Sequence, residues 1–252
     1  MSNQTNKVAL YTLMFSAFII MGGIGMIVPV MPSYLEVFGV GGQVLGFLIA
    51  GFAFAQFLLS PIAGDLSDRY GRKIFIISGL IIYGLSQFLF GAADAVWMLF
   101  VARFLSGAGA AFVLPPVMAY VADITTIEER GKGMGMIGAA ISLGFTIGPG
   151  IGGILAGIDI AFPFYFAGAV ALVSAVLSAI ILPKVKKQES PQAAKPPREN
   201  LLKQLVKSTK TSYFVFLIIV FTFSFGISNF QATLSIYLDE KFSYSAFDIS
   251  VI

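Results

Sequence analysis

The stretch Gly64-Asp-Leu-Ser-Asp68-Arg69-Tyr-Gly71-Arg72-Lys73 separates two apolar runs, at about 43–63 and 74–93. It packs Asp65, Asp68, Arg69, Arg72 and Lys73 into ten residues. Each flanking run has about 20 mostly apolar residues, enough at ~1.5 Å rise per residue to cross a ~30 Å hydrocarbon core. A charged turn this short, between runs this long, belongs at a membrane face, with the runs spanning the bilayer. Gly64 and Gly71 permit a tight turn and close backbone approach. Asp68 can cap the next helix and pair with an arginine.

Five further runs lie outward from this point, at about 9–32, 96–121, 133–156, 161–183 and 212–238, giving seven expected spans. The composition agrees. Among 252 residues, 57 % are hydrophobic and only 12 % charged, against about 25 % charged in a soluble domain. Mean hydropathy is +0.88. A disordered tail, a collagen-like chain and a nucleic-acid-binding domain are excluded. Cys and His are both 0, so there is no disulfide framework, no thiolate metal site and no imidazole general base. No cofactor or metal site is expected, and nothing supports hydrolytic or redox catalysis by an enzyme. The first run is too long for a cleaved signal, has only Lys7 before it, and no small-x-small site follows.

The basic residues alternate. Lys7, the 69–73 segment, Arg130 with Lys132, and the stretch from Lys184 to Lys210 hold 14 of the 16 Lys and Arg. The opposite loops hold Glu36, Asp94, Asp159, Asp239, Glu240 and Asp248, with Lys241 the one base. The positive-inside rule then puts the N-terminus in the cytoplasm of a multi-pass cell-membrane protein.

Three units follow: a six-helix transmembrane domain over 1–183, a polar cytoplasmic linker over 184–210, and 211–252 as helix 7 and the start of helix 8 of an incomplete second domain. In the linker, Leu201, Leu202, Leu205 and Val206 share a helical face opposite Lys203, Lys207 and Lys210. That face suits either a short helix on the membrane surface or a plain extension into span 7. The apolar residues of 246–252 read as the start of a helix cut short. Pro29 with Pro32, and Pro115 with Pro116, lie at similar depths in spans 1 and 4, as two inverted three-helix repeats would place them.

Three features carry chemistry. The 64–73 cluster faces Asp123 and Arg130 across the same membrane surface. Asp123 is a natural partner for Arg72 or Arg69. The cluster reads either as a latch that releases between two states or as a topology-setting basic loop. Arg103 is the one ionisable residue clearly inside a span, at a cost of about 2.5–3.5 kcal/mol near the bilayer centre. It reads as a functional group facing a polar cavity, the alternative being snorkelling to the outer surface. Gly144, Gly148 and Gly152 recur at four-residue spacing around Pro149 and Gly153, forming a groove for another helix with a proline kink. Candidate cavity-lining groups are Gln56, Phe145, Asn229 and Gln231 beside Arg103. The bland alternatives are an interhelical hydrogen bond for Gln56 and lipid-facing or core packing for each phenylalanine.

Together with Gly23-x5-Pro29-Val-x-Pro32, these motifs resemble the major facilitator superfamily over the whole chain. The 64–73 segment looks like its signature between helices 2 and 3, Leu99–Ala111 like its helix 4 motif, and Gly144–Gly153 like the helix 5 motif of drug/proton antiporters. Pro163-Phe-Tyr-Phe-Ala-Gly168 and the span 1 pattern are closest to quinolone and multidrug efflux pumps of the NorA type.

The resemblance implies an all-α fold of two six-helix bundles, of which the C-terminal half is largely missing here. It implies alternating access that expels hydrophobic or cationic drugs in exchange for protons, with Arg103 linked to proton transfer and the segment around Asp68 and Arg72 bracing the outward-open state against the missing half. No carboxylate lies inside spans 1–6, and Gln231 stands where related pumps carry an acid. The proton-carrying carboxylate is therefore expected in the missing helices, and the chain alone is expected not to transport. A carrier for a small metabolite is the alternative within the superfamily. A seven-helix receptor fits the count of spans, but a cytoplasmic N-terminus and no lysine in span 7 argue against it.

Overall fold

The computed structural model describes residues 3–183 and 213–242. Its regular elements there are all helices: α1 (Asn3–Glu36), α2 (Gly42–Tyr70), α3 (Arg72–Gly91), α4 (Val96–Ile124), α5 (Ile127–Ala156), α6 (Phe162–Ile181) and α7 (Tyr213–Phe242). Among the described residues, six helices, α1 to α6, are long and apolar enough to cross a membrane. The chain is a polytopic membrane protein.

Residues α1 to α6 occupy form one compact unit and α7 lies in a second. In the first, α1 packs on α5 and α6, α4 packs on α2 and α3, and α3 also packs on α6. Lipid tails are as apolar as leucine, so burial alone does not select these neighbours; close packing at small residues does. Each seam has its glycines. A methyl group on Gly144 would lie 2.5 Å from the Phe18 carbonyl oxygen, and one on Gly148 2.6 Å from the Gly22 oxygen, so α5 fits only tightly against α1. A methyl group on Gly109 would lie 2.6 Å from the Tyr83 amide nitrogen on the α3–α4 seam, and one on Gly168 2.9 Å from the Gly84 oxygen on the α3–α6 seam. Around them Leu13, Ile20, Leu80, Val113, Val117 and Ile137 are fully buried.

Local signals set the helix ends. Thr126 caps α5 by accepting from the Glu129 amide at 3.3 Å, in a Thr-x-x-Glu pattern that also places Glu128 and Glu129 in the first turn. Asp159 Oδ1 accepts from the Ala161 amide at 2.8 Å just before α6, and Pro163 sits in its first turn.

Four sequence expectations change. The 64–73 segment is not a loop: α2 runs to Tyr70 and α3 starts at Arg72, leaving Gly71 alone as the turn, at φ 105°. Only a residue without Cβ accepts that backbone at low cost. Gly64 lies inside α2 with open space around it, so it makes no close approach. Helix α5 begins at Ile127, ahead of its apolar run, because the Thr126 cap extends it through polar residues. Helix α7 runs over the seventh expected span and on to Phe242, through Asp239, Glu240 and Lys241. The linker stretch and the 246–252 segment lie outside the described residues.

Candidate functional site

Arg103, two turns into α4, is 5 % exposed. It turns inward, away from lipid. One guanidinium nitrogen, Nη2, donates to the Met31 sulfur on α1 at 2.6 Å, and the Cζ atom lies 4.6 Å from the centroid of the Phe90 ring on α3. Its Nε has no hydrogen-bond partner, and neither do the buried Tyr83 hydroxyl and Gln87 Nε2 of α3. A charge in a dry interior is costly unless paired. Here a polarizable thioether and an aromatic face are its partners, both soft and neutral. Sequence reasoning placed Arg103 beside a polar cavity; the structure places it in a packed interior between α1, α3 and α4.

Phe90 links this site to the end of the bundle opposite Gly71. The Tyr34 hydroxyl donates to the Phe90 and Gly91 carbonyls at 2.9 and 3.3 Å, and the Tyr34 ring packs on Phe90 and Phe164. Helix C-termini leave carbonyls unpaired, and a tyrosine on α1 satisfies those of α3.

The end of the bundle that holds Gly71 is tied by side chains reaching between helices. Arg72 pairs with Asp68, with Asp123 at 3.2 Å and with the Ser67 hydroxyl at 3.0 Å. One guanidinium thus joins α2, α3 and α4, as its fork of donors allows. Arg69 pairs with Asp65 at 3.4 Å but is largely exposed, so that pair holds little. Lys73 Nζ donates to the Leu182 carbonyl at 2.5 Å, Arg130 to the Ala122 carbonyl at 3.1 Å, Asn6 to the Ile124 carbonyl at 3.1 Å and the Tyr120 hydroxyl to the Pro183 carbonyl at 2.5 Å. These carbonyls lie in the last turn of α4 and just past the end of α6.

The groove of Gly144, Gly148, Pro149, Gly152 and Gly153 is filled by α1. Gly152 abuts the Met26 carbonyl, and Pro149 Cδ lies 3.2 Å from where a Gly25 Cβ would be. Helix α5 continues unbroken through Pro149. The groove is therefore a packing seam filled by α1, the helix that also reaches Arg103 through Met31.

The cavity candidates are not gathered. Gln56 is half-buried on α2 and Phe145 is 37 % exposed on α5. Asn229, on α7, donates to its own helix at the Phe225 carbonyl. The Gln231 side chain lies outside the described residues.

Sequence reasoning missed Met31, Tyr83, Gln87, Ser67 and Tyr34. Met31 stands inside the Pro29–Pro32 motif, and Ser67 inside the charged segment. Both motifs were legible, but which of their uncharged members face inward was not. Tyr83 and Gln87 sit four apart in an apolar run, which would have put both on one face.

Known proteins resemble this chain over nearly its whole length. A profile of the Major Facilitator Superfamily matches residues 13–252. The chain belongs to the major facilitator superfamily. It is 44 % identical over 253 residues to Multidrug resistance protein 2 of Bacillus subtilis, which covers 100 % of this chain and 63 % of that protein. It is 37 % identical over 245 residues to Quinolone resistance protein NorA of Staphylococcus aureus, covering 96 % of this chain and 61 % of that one. The chain thus spans about three-fifths of the length of these relatives. Among solved structures, a bacterial homolog of the human lysosomal transporter Spinster, inward-facing and unoccupied, superposes with a TM-score of 0.85 at 16 % identity, over 100 % of this chain and 59 % of that one. That likeness supports the fold alone. Membership in the superfamily sets aside the seven-helix receptor.

Proposed function

We propose that the chain is the N-terminal part of a multidrug exporter that moves hydrophobic or cationic drugs out of the cell against an inward flow of protons, by alternating access. The observation that carries this reading is the buried Arg103, held by neutral partners in a bundle whose described spans offer it no carboxylate. Such a cation is costly to keep in a membrane; its retention fits a role in coupling that a purely structural residue would not need. The similarity to multidrug and quinolone resistance proteins over nearly the whole chain supports this substrate class. Residues 1–183 form one domain, 184–210 a cytoplasmic linker, and 211–252 the beginning of a second domain. The N-terminus lies in the cytoplasm of the cell membrane, as the basic residues at the Arg72 end of the bundle favour. The Arg72 hub braces one of the two access states. Its geometry suits this role, because one guanidinium holds three helix ends and loses all of them together.

Ethidium efflux from cells expressing residues 1–252, compared with cells expressing a parent chain that carries a complete second bundle, tests the reading. Efflux from the parent and none from residues 1–252 is expected. Efflux from residues 1–252 alone, or none from the parent, contradicts it.

A further inference from the structure

The bundle has seven described basic side chains, and five are engaged. Arg69, Arg72, Lys73, Arg103 and Arg130 each have a carboxylate, carbonyl or sulfur partner. Lys7 and Lys132 have no ion pair or hydrogen bond, and both line one cavity of about 270 Å³ between the start of α1, the end of α4 and the start of α5. Its floor is apolar, with Leu10, Ile124 and Met136, and Glu129 is the one acid in its wall. Two cations against one carboxylate leave the mouth net positive. An amphipathic cavity with free cations at a membrane face fits a group that is anionic at one end and apolar at the other.

We propose that this cavity binds the headgroup of an anionic phospholipid, the two ammonium groups clasping its phosphate and the Leu10–Met136 floor taking the glycerol backbone, while the acyl chains remain in the bilayer. The volume is near the lower end of small-molecule sites, ~300 Å³, which suits a headgroup and excludes a whole lipid. Basic recesses between helices on the cytoplasmic side are where such headgroups bind, with a contribution that amounts to about fivefold in affinity per lysine. The site is separate from Arg103 and from the Arg72 hub, and it does not depend on transport.

Native mass spectrometry of the purified chain in detergent, titrated with phosphatidylglycerol or phosphatidylcholine, tests this. One phosphatidylglycerol should be retained under activation that strips phosphatidylcholine. Lys7→Gln with Lys132→Gln should cut that retention by about tenfold or more, the double arginine variant should keep it, and Glu129→Gln should raise it. Both lysines are exposed, so the glutamine variants test charge without disturbing packing. Equal retention of the two lipids, or equal retention by the wild type and the double glutamine variant, overturns the proposal. Release of the lipid by inorganic phosphate, beyond that caused by chloride at matched ionic strength, overturns it in favour of a free-anion site.

Discussion

The Arg103 guanidinium donates to the Met31 sulfur at 2.6 Å, so the buried cation of α4 is held by the same helix that fills the glycine groove of α5. Helix α1 is thereby the common element of the two features that distinguish this bundle. A shift of α1 along α5 would change what Arg103 touches. The Met31→Leu variant keeps the volume and removes the acceptor. Because it leaves a buried charged donor without its acceptor, it should cost about 1–3 kcal/mol in stability, and drug efflux by the complete transporter should fall severalfold. Efflux equal to wild type would remove Met31 from the account.

Tyr83 offers a test of the same interior with the opposite sign. Its hydroxyl is buried without a partner, and an unpaired buried polar group costs about 1–3 kcal/mol. Tyr83→Phe should therefore leave the melting temperature unchanged or raise it. A clear fall in thermal-shift measurements would mean that the hydroxyl has a bonded guest.

The α1–α5 seam separates Gly148 from Gly150, as the four-residue spacing of Gly144, Gly148 and Gly152 does. A methyl group at Gly148 would meet the Gly22 oxygen at 2.6 Å, whereas at Gly150 nothing lies within 4 Å. Gly148→Ala should destabilise by about 1–3 kcal/mol through overpacking. Gly150→Ala should be neutral or stabilise by up to about 1 kcal/mol through helix propensity. Unfolding in a mild detergent–denaturant series ranks the two; equal effects would contradict the seam.

The charged segment divides in a similar way. Gly71 holds φ 105° between two helices, and Gly64 is an ordinary helical residue in open space. Gly71→Ala should destabilise by about 1–2 kcal/mol, and Gly64→Ala should not. Double-mutant cycles should give Arg72–Asp123 a coupling of about 1 kcal/mol and Arg69–Asp65 nearly none, since Arg69 is 67 % exposed.

These contrasts mark how far the sequence could be read. Apolar length gave the helices, and the alternation of Lys and Arg gave a consistent sidedness, because both are one-dimensional properties. Arg72 with Asp123 was legible because opposite charges on one membrane face have few other partners. The identity of the turn was not: apolar runs end where charges begin, but helices continue through charged residues until a Gly71 stops them. Arg103 stood out as a lone charge, yet its neutral partners Met31 and Phe90 look like any other membrane residues. The partner of the Gly144–Gly152 groove was hidden for the same reason, since a groove names no helix until the packing is known.

The most direct test of the transport reading is proton-driven ethidium efflux by the complete transporter with Arg103→Ala, in energised cells, with membrane abundance measured alongside. Loss of efflux at wild-type abundance is the expected result. Efflux retained at the wild-type rate would contradict the role given to Arg103.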